Sequence, residues 1–311
     1  MSNPDADRVP SGTILAVSDS VDGKTYVATG SSIELLQGMR KYEFESHETP
    51  PECVLPSPDG RALIVRTIDH SYVFNAGTMR LTRKLMGAYA WWEGSSVAWL
   101  VTDGRIVHAH GRMFSLKRRG ASLISADETG KNFIGVCKVK NGTKQTGNMS
   151  TYQFVLCCRK GDTVRIRKTL VTRLYDPGSE GQPRHLVVID AGTAMFGIPN
   201  GSADGYDNVG VLQDGHVTDT VRDAQGHPLR FAQSPVVINH AMVALVDAVN
   251  SVHAPLGRYI VFAGNAKVRL KKVGSDITFV TYDGVRKRVG LGVKTAGDVT
   301  ITWKPESEFL R

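Results

Sequence analysis

The chain has 311 residues, of which 41% are hydrophobic and 22% are charged, and its formal net charge is +8. These values are typical of a globular protein and exclude a chain that is disordered over most of its length. The most apolar stretch, residues 235–252, is interrupted by Asn239, His240, Asp247 and Asn250. Because no clean run of about 20 apolar residues exists, we expect no transmembrane segment and a soluble, cytoplasmic protein.

Glycine recurs along the first half of the chain at residues 23, 60, 94 and 130, with intervals of 37, 34 and 36 residues. Each glycine is followed by small or polar residues and then by an apolar burst. Asp-Gly pairs, which supply the positive φ angles of tight hairpins, precede several such bursts. A fixed period of this length is typical of a protein built from structural repeats. The sequence therefore predicts an all-β chain of antiparallel strands.

The strands can be counted in the second repeat. Apolar or β-branched runs are predicted as strands at residues 52–55, 62–67, 71–74 and 79–86. The turn Ser57-Pro-Asp-Gly60 separates the first two runs, and Asn75-Ala-Gly77 separates the last two. Four short antiparallel strands in such a repeat are typical of a β-propeller blade, a small sheet that is buried by its neighbours.

The second repeat also resembles a known family. Its segment from Val54 to Val65, which contains the Ser-Pro-Asp-Gly turn, is followed by Ser71-Tyr-Val-Phe74 and resembles a blade of the WD40-like or TolB-like β-propeller superfamily. Looser copies at residues 17–28 and 124–135 extend the resemblance over residues 13–138. The repeat predicts a β-propeller of four-stranded antiparallel blades, with seven blades as the main prediction and six as the alternative.

The repeat loses its phase beyond residue 138. Three insertions are predicted, at residues 139–149, 199–207 and 222–229. Residues 238–249 leave room for a short helix. The last repeat, residues 276–303, shows only three strands, so the N-terminal segment would have to complete it by ring closure. We expect a polar N-terminal leader at residues 1–12, a single propeller domain at residues 13–303 and a C-terminal tail at residues 304–311.

Positive charge is concentrated in five segments that we place on or beside the outermost strands of blades. They are residues 40–46, 79–86, 112–119, 159–168 and 267–272, which together hold 18 of the 38 Lys and Arg residues and three acidic residues. Charged side chains on an edge strand can prevent edge-to-edge aggregation. They can also bind an acidic partner. Both interpretations remain open at this stage.

The candidate binding residues come from three of these segments. They are Lys117, Arg118, Arg119, Arg165, Arg167, Lys168, Lys267, Arg269 and Lys271. Aromatic residues do not alternate with these charges as they would in a platform for single-stranded nucleic acid. A protein partner with an acidic surface is therefore favoured over nucleic acid.

Two further features were considered as sites. Trp91 and Trp92 are neighbours on a predicted strand and must face opposite ways, so one is expected in the core, and the other, taken as Trp92, either anchors an interface or packs between blades. His108 and His110 share one face of a strand and are weak metal candidates. They need a third ligand, so ordinary polar strand residues are the preferred interpretation.

The sequence contains no G-x-S-x-G, Walker, G-x-G-x-x-G or H-E-x-x-H motif. Together with the repeats and insertions, this favours a non-enzymatic interaction scaffold without a cofactor, which docks a protein partner or forms part of a larger assembly. The alternative is a propeller hydrolase, lyase or metal-dependent enzyme. Its site would lie in the central channel, where residues from separate blades converge.

Overall fold

A computed structural model describes residues 14–19, 24–36, 40–45, 51, 53–67, 70–86, 90–100, 105–108, 113–116, 121–127, 132–140, 150–160, 163–175, 184–199, 207–233, 235–238, 241–250, 254–264, 267–284, 286–294 and 299–310. The chain divides into two compact units. Unit 1 comprises Met1–Ala90, Ala232–Asp247 and Pro255–Arg311, and unit 2 comprises Trp91–Phe231 and Ala248–Ala254. No helix among the described residues is long and apolar enough to span a membrane.

Unit 1 begins with two four-stranded antiparallel sheets. Their strands are β1 (Ile14–Asp19), β2 (Thr25–Thr29), β3 (Ser32–Leu35), β4 (Arg40–Glu43), β5 (Cys53–Pro56), β6 (Ala62–Arg66), β7 (His70–Asn75) and β8 (Leu81–Met86). The sheets follow chain order, β1-β2-β3-β4 and β5-β6-β7-β8. Every strand pairs antiparallel with the next one of its sheet. The four strands predicted in the second repeat are confirmed within three residues at each end.

The predicted turn of the second repeat is held by its own side chains. Ser57 is buried, and its hydroxyl accepts a hydrogen bond from the Ala62 N–H at 2.9 Å while it donates to the Asp59 carboxylate at 2.6 Å. Gly60 has a φ of +69°, a conformation that costs glycine little. The Ser57 hydroxyl lowers the pKa of Asp59 by donating to its charged form. Ser57, Asp59 and Gly60 therefore each contribute to the geometry of this turn.

The two sheets of unit 1 contact each other through aromatic rings. Tyr42 and Phe44 of the first sheet meet Phe74 and Tyr72 of the second, with centroid distances of 5.0 Å for Tyr42 and Phe74 and 5.4 Å for Phe44 and Tyr72. Both pairs have the edge-to-face geometry that aromatic rings prefer. Tyr72 and Phe74 are buried within the same core cluster as Tyr26. Each sheet therefore buries the face of its neighbour.

Unit 2 contains the next thirteen strands of the described residues. They are β9 (Ala90–Glu93), β10 (Ser96–Leu100), β11 (Arg105–His108), β12 (Met113–Leu116), β13 (Ala121–Ala126), β14 (Phe133–Lys140), β15 (Ser150–Lys160), β16 (Thr163–Tyr175), β17 (Arg184–Val188), β18 (Ala194–Pro199), β19 (Asp207–Gln213), β20 (His216–Thr218) and β21 (Leu229–Phe231). Strands β17, β18 and β19 follow one another in a sheet, and both β20 and β21 pair with β19.

Strands β9 to β16 form one eight-stranded sheet in the order β13-β14-β15-β16-β12-β11-β10-β9. This sheet consists of two four-stranded antiparallel groups whose outer strands, β12 and β16, pair in parallel. Ser115 lies opposite Thr163, and Leu116 lies opposite Val164. The outer edges of two successive groups therefore join through their main chains.

The last strands return to unit 1. They are β22 (Val236–Ile238), β23 (Ala241–Val249), β24 (Pro255–Gly264), β25 (Lys267–Val273), β26 (Ile277–Asp283), β27 (Arg288–Lys294) and β28 (Val299–Pro305), before a 3-10 turn at Glu306–Glu308. The helix considered for residues 238–249 is wrong, because β22 and β23 occupy this segment and pair with each other. Eight of the nine β23 side chains are buried, so the strand is apolar on both faces and lacks the alternation of a half-exposed strand.

Strands β26, β27 and β28 form a three-stranded sheet, which confirms the three strands predicted for the last repeat. Strand β1 pairs with β2 in its own sheet, and residues 1–13, the predicted leader included, lie outside the described part of the chain. Phe309, in the predicted C-terminal tail, is buried in a cluster with Ile260 and Tyr282. The domain bounds at residues 13–303 stay a prediction.

Strand β26 lies at one edge of the three-stranded sheet, and the Gln233 side chain forms hydrogen bonds to this edge. Gln233 is 4% exposed, and its amide nitrogen donates to the Val280 carbonyl at 2.8 Å. The Val280 N–H donates in turn to the Gln233 side-chain oxygen at 2.8 Å. The glutamine therefore replaces a neighbouring strand at this position of β26.

A buried carboxylate holds the β26–β27 hairpin. Asp283 is 2% exposed and accepts hydrogen bonds from the Arg286 N–H at 3.0 Å and from the Arg288 guanidinium at 3.0 Å. Burial alone would raise the pKa of Asp283, but these hydrogen bonds and the positive charges outweigh it, so the pKa lies below its ordinary value. The charged form therefore stabilises the fold.

We expect Asp283→Asn to lower the free energy of unfolding at pH 7 by about 2 kcal/mol, the scale of hydrogen bonds to a charged group. Since the folded pKa of Asp283 is depressed, its contribution is complete above the unfolded value of about 3.9 and is lost as the pH falls through the folded pKa. Urea unfolding at pH 7 and pH 3 should show the difference from wild type shrinking in acid. Exposed Asp214→Asn is the control, and a difference independent of pH would contradict the charge argument.

Candidate basic docking site

Three of the five basic segments contain edge strands, because β4, β8 and β25 end their sheets, whereas β12 and β16 pair with each other inside the eight-stranded sheet. Residues 40–46, 79–86, 112–119 and 267–272 contain all or most of β4, β8, β12 and β25, and residues 159–168 span the end of β15 and the start of β16. Several of their cations are used within the fold. The Arg40 guanidinium donates to the Gly77 carbonyl, and the Lys84 ammonium lies 5.1 Å from the Tyr72 ring centroid.

Two of the five segments are brought together by the parallel pairing of β12 and β16. Residues 112–119 and 159–168 hold nine basic residues and one acidic residue. The paired residues Leu116 and Val164 directly precede Lys117 and Arg165 in the sequence. Lys117, Arg118 and Arg119 themselves lie outside the described residues, as does the side chain of Arg165. No local pattern in the sequence predicts this pairing, because it joins strands of different repeats.

Strand β16 exposes four successive side chains beyond this pairing. Ile166 is 43% exposed, and Arg167, Lys168 and Thr169 are exposed as well. The register explains the pattern, because Cys157 of β15 pairs with Ile166 while the preceding Leu156 pairs with Lys168. Arg167 is therefore an additional residue in a β-bulge, which interrupts the alternation of inward and outward side chains. Arg167 and Lys168, both predicted binding residues, lie on this bulge.

Strand β25 carries the other three predicted cations and uses one of them internally. Arg269 is exposed, and the side chain of Lys267 lies outside the described part. The Lys271 ammonium is 2.8 Å from the Glu308 carbonyl oxygen and 4.7 Å from the Phe309 ring centroid. Lys271 therefore holds the C-terminal segment against the sheet, a role that the sequence could not indicate because 37 residues separate it from Glu308.

Trp92 does not provide the exposed anchor that was considered for it. Trp91 is 4% exposed and Trp92 is 6% exposed, although they are neighbours on β9. Both faces of this strand are therefore covered, as in the alternative in which the second tryptophan is packed inside the fold. The Trp91 ring contacts Phe133 edge-to-face at 6.0 Å. The burial of Trp92 contradicts its interpretation as an exposed interface anchor and agrees with the interpretation of a packed ring.

The structure adds little to the catalytic and metal alternatives. His108 is the last residue of β11, its side chain is outside the described part, and His110 lies between described segments. Among the residues that the structure describes, no three His, Cys, Asp or Glu side chains are arranged to hold a metal ion. Cys137 and Cys157 are buried, and burial raises the pKa of the Cys137 thiol. The metal and enzyme alternatives stay predictions.

Known proteins match this chain in structure and not in sequence. No family model matches the chain, and no curated protein matches it. In structure the chain is similar to a chain of a mitotic checkpoint complex, with a TM-score of 0.53, 9% identity, and coverage of 96% of this chain and 92% of that one. It is equally similar to the Cps50 (Swd1) β-propeller domain of Myceliophteria thermophila, at a TM-score of 0.53 and 11% identity over 96% and 99% of the two chains.

A third similar structure is hydrazine synthase from Kuenenia stuttgartiensis, with a TM-score of 0.52, 12% identity, and coverage of 96% of this chain and 97% of that one. At such low identity these similarities concern the fold alone. Together with the antiparallel sheets, they show that the chain is all-β and has the fold of β-propeller proteins.

Proposed function

We propose that this chain is a seven-bladed β-propeller that acts as a non-enzymatic interaction scaffold and docks a protein partner with an acidic surface. In support of seven blades, the described strands can be divided in chain order into seven consecutive groups of three to five strands, some of which hydrogen bonds join into larger sheets. These groups are β1–β4, β5–β8, β9–β12, β13–β16, β17–β21, β22–β25 and β26–β28. The structural similarity to a chain of a mitotic checkpoint complex lends support to a role in a larger assembly.

The observation that carries the proposal is the parallel pairing of β12 with β16. It brings Ser115 and Leu116 beside Thr163 and Val164. These residues belong to two segments whose combined formal charge of +8 equals the net charge of the whole chain. Pairing with another strand already protects an edge from aggregation, and like charges side by side repel each other, so edge protection does not explain this concentration of cations. Concentrated positive charge instead steers an acidic partner and raises its rate of association.

The test is affinity capture with the full chain, followed by reconstitution from the purified partner. We expect Lys117→Ala, Arg118→Ala and Arg119→Ala, combined in one variant, to weaken the reconstituted complex at least tenfold. The combined variant Arg80→Ala and Arg83→Ala, on another basic segment, is the control. The proposal would be overturned if the protein is monomeric and no complex with a captured partner can be reconstituted. Unchanged binding with increased aggregation of the triple variant would support edge protection instead.

A further inference from the structure

We infer that residues 166–169 of β16 form a binding site for an acidic protein segment that carries an apolar side chain. This inference rests on the proposed function and names the partner chemistry of the same basic site. The site lies between two contacts that already cover the outer edge of β16. Strand β12 pairs with Thr163 and Val164, and the β19–β20 turn approaches further along the strand.

The second boundary is set by Leu170. A Cβ on Gly215, in the β19–β20 turn, would lie 3.7 Å from the Leu170 carbonyl oxygen. The main chain of β16 has a second irregularity there, because Phe154 pairs with Val171 while Val155 pairs with Thr169. Two bulges therefore flank a short stretch of strand. Bulges of this kind are frequent at sheet edges and next to functional sites, where they change the direction of a side chain.

The side chains of the stretch determine the kind of partner. Arg167 and Lys168 are exposed cations that attract carboxylates or phosphates. Ile166 next to them is 43% exposed and is one of four large hydrophobic residues with such exposure among the described residues. A phosphate backbone has no group that gains by covering an isoleucine, and the stretch contains no aromatic ring on which bases could stack. A peptide with carboxylates and one apolar side chain can pair with the two cations and also cover Ile166.

The competing explanation is that the bulges and cations only protect an edge strand. Under that explanation Ile166 is a liability, since an apolar side chain promotes the aggregation that the cations oppose. The two explanations predict opposite results for Ile166→Ser. If residues 166–169 form a binding site, loss of the isoleucine should weaken binding of the partner. If they only protect an edge, the same change should leave binding unaffected and leave the solubility unchanged or improved.

The experiment measures fluorescence anisotropy of labelled peptides with the purified full chain. The probe is the peptide Glu-Asp-Glu-Leu-Glu-Asp-Glu, and the matched probe has Ala in place of Leu. A basic peptide of the same length, a single-stranded oligonucleotide and vesicles of anionic phospholipid are measured beside them. We expect binding of the Leu peptide, at least fivefold weaker binding of the Ala peptide, and tenfold weakening when the salt concentration is raised to 0.5 M, since exposed charges are screened.

The variants locate the site. Arg167→Glu combined with Lys168→Glu should weaken binding of the Leu peptide at least tenfold, and Ile166→Ser should remove the difference between the Leu and Ala peptides. Arg61→Glu, at an exposed residue outside the five basic segments, is the matched control and should change binding less than twofold. Arg269→Glu on β25 tests the competing basic segment. Circular dichroism and thermal unfolding of each variant confirm that it is folded.

The outcomes separate this inference from the proposed function. If Arg269→Glu weakens peptide binding and the β16 variants do not, the scaffold proposal survives and the site on β16 is overturned. If the oligonucleotide or the vesicles bind more tightly than the Leu peptide and respond to the β16 variants, the partner chemistry is overturned. If none of the probes binds while the reconstituted complex is insensitive to Arg167→Glu and Lys168→Glu, the site is overturned independently of the partner.

Discussion

Replacing Gln233 by Met should lower the free energy of unfolding by about 4 kcal/mol, although Met preserves the length of the side chain. The Val280 N–H and carbonyl, which Gln233 satisfies at 2.8 Å each, would remain buried without partners. Each such group costs roughly 1–3 kcal/mol. Urea unfolding followed by tryptophan fluorescence measures the loss, because the chain has four Trp residues.

Two further variants test the reason for this loss. Gln225→Met changes an exposed glutamine and should alter the free energy of unfolding by less than about 0.5 kcal/mol. Gln233→Glu should be strongly destabilising at pH 7, where a carboxylate oxygen faces the Val280 carbonyl, and less so in acid, where a protonated carboxyl can donate to it. A loss below 1 kcal/mol for Gln233→Met would show that Val280 does not depend on this side chain.

Replacing Gly292 by Ala should cost about 3 kcal/mol, because a Cβ at this position would lie 2.2 Å from the Phe279 ring. Gly292 and Phe279 are opposite each other on β27 and β26. The ring is completely buried in a cluster with Val27 and Ile301, so it has no free space into which to move. Overpacking of a core typically costs 1–3 kcal/mol. Thermal unfolding monitored by circular dichroism provides the measurement.

The control for this change is Gly30→Ala, where an added Cβ would meet nothing within 4 Å. Its effect should be less than about 0.5 kcal/mol. If the Phe279 ring causes the loss, Gly292→Ala should cost less in a Phe279→Leu background, and the double-mutant cycle should give a coupling energy of at least 1 kcal/mol. Equal effects of Gly292→Ala and Gly30→Ala would contradict the ring contact.

The parts of the fold that depend on local signals could be predicted from the sequence. The second repeat is the clearest case, because Ser57, Asp59 and Gly60 specify their turn through contacts within five residues. Apolar and β-branched runs then indicated the strands on either side. The same holds for the three strands of the last repeat, where the turn of β26 and β27 follows an Asp-Gly pair.

Other parts depend on contacts that have no local signal. The apolar run of β23 is buried on both faces, and periodicity alone cannot separate such a strand from a buried helix. The hydrogen bonds between Gln233 and Val280 join residues that are 47 positions apart, so no local sequence pattern indicates this contact. Bulges escape prediction for the same reason, because the extra Arg167 is defined only by its partners on β15.

The candidate site was predictable as a set of segments and not as a surface. Charge counts placed the cations on outer strands. The sheet order agrees for β4, β8 and β25 and disagrees for β12 and β16, which pair with each other inside one sheet. Which cations face outward depends on tertiary contacts, as the use of Lys271 by the C-terminal segment shows. The tryptophans show the same limit. Alternation along β9 put the two rings on opposite faces and left the second either exposed or packed, and only the fold shows that both are covered.

The joined outer edges of β12 and β16 also affect how unit 2 opens. In most repeat proteins adjacent units touch through side chains, so each can open with only its nearest interface lost. Here the main-chain bonds at Ser115 and Leu116 would have to break before the groups β9–β12 and β13–β16 separate. Amide hydrogen exchange should therefore show these two groups opening as a single cooperative unit. A ligand bound to β16 should then also slow the exchange of the β12 amides.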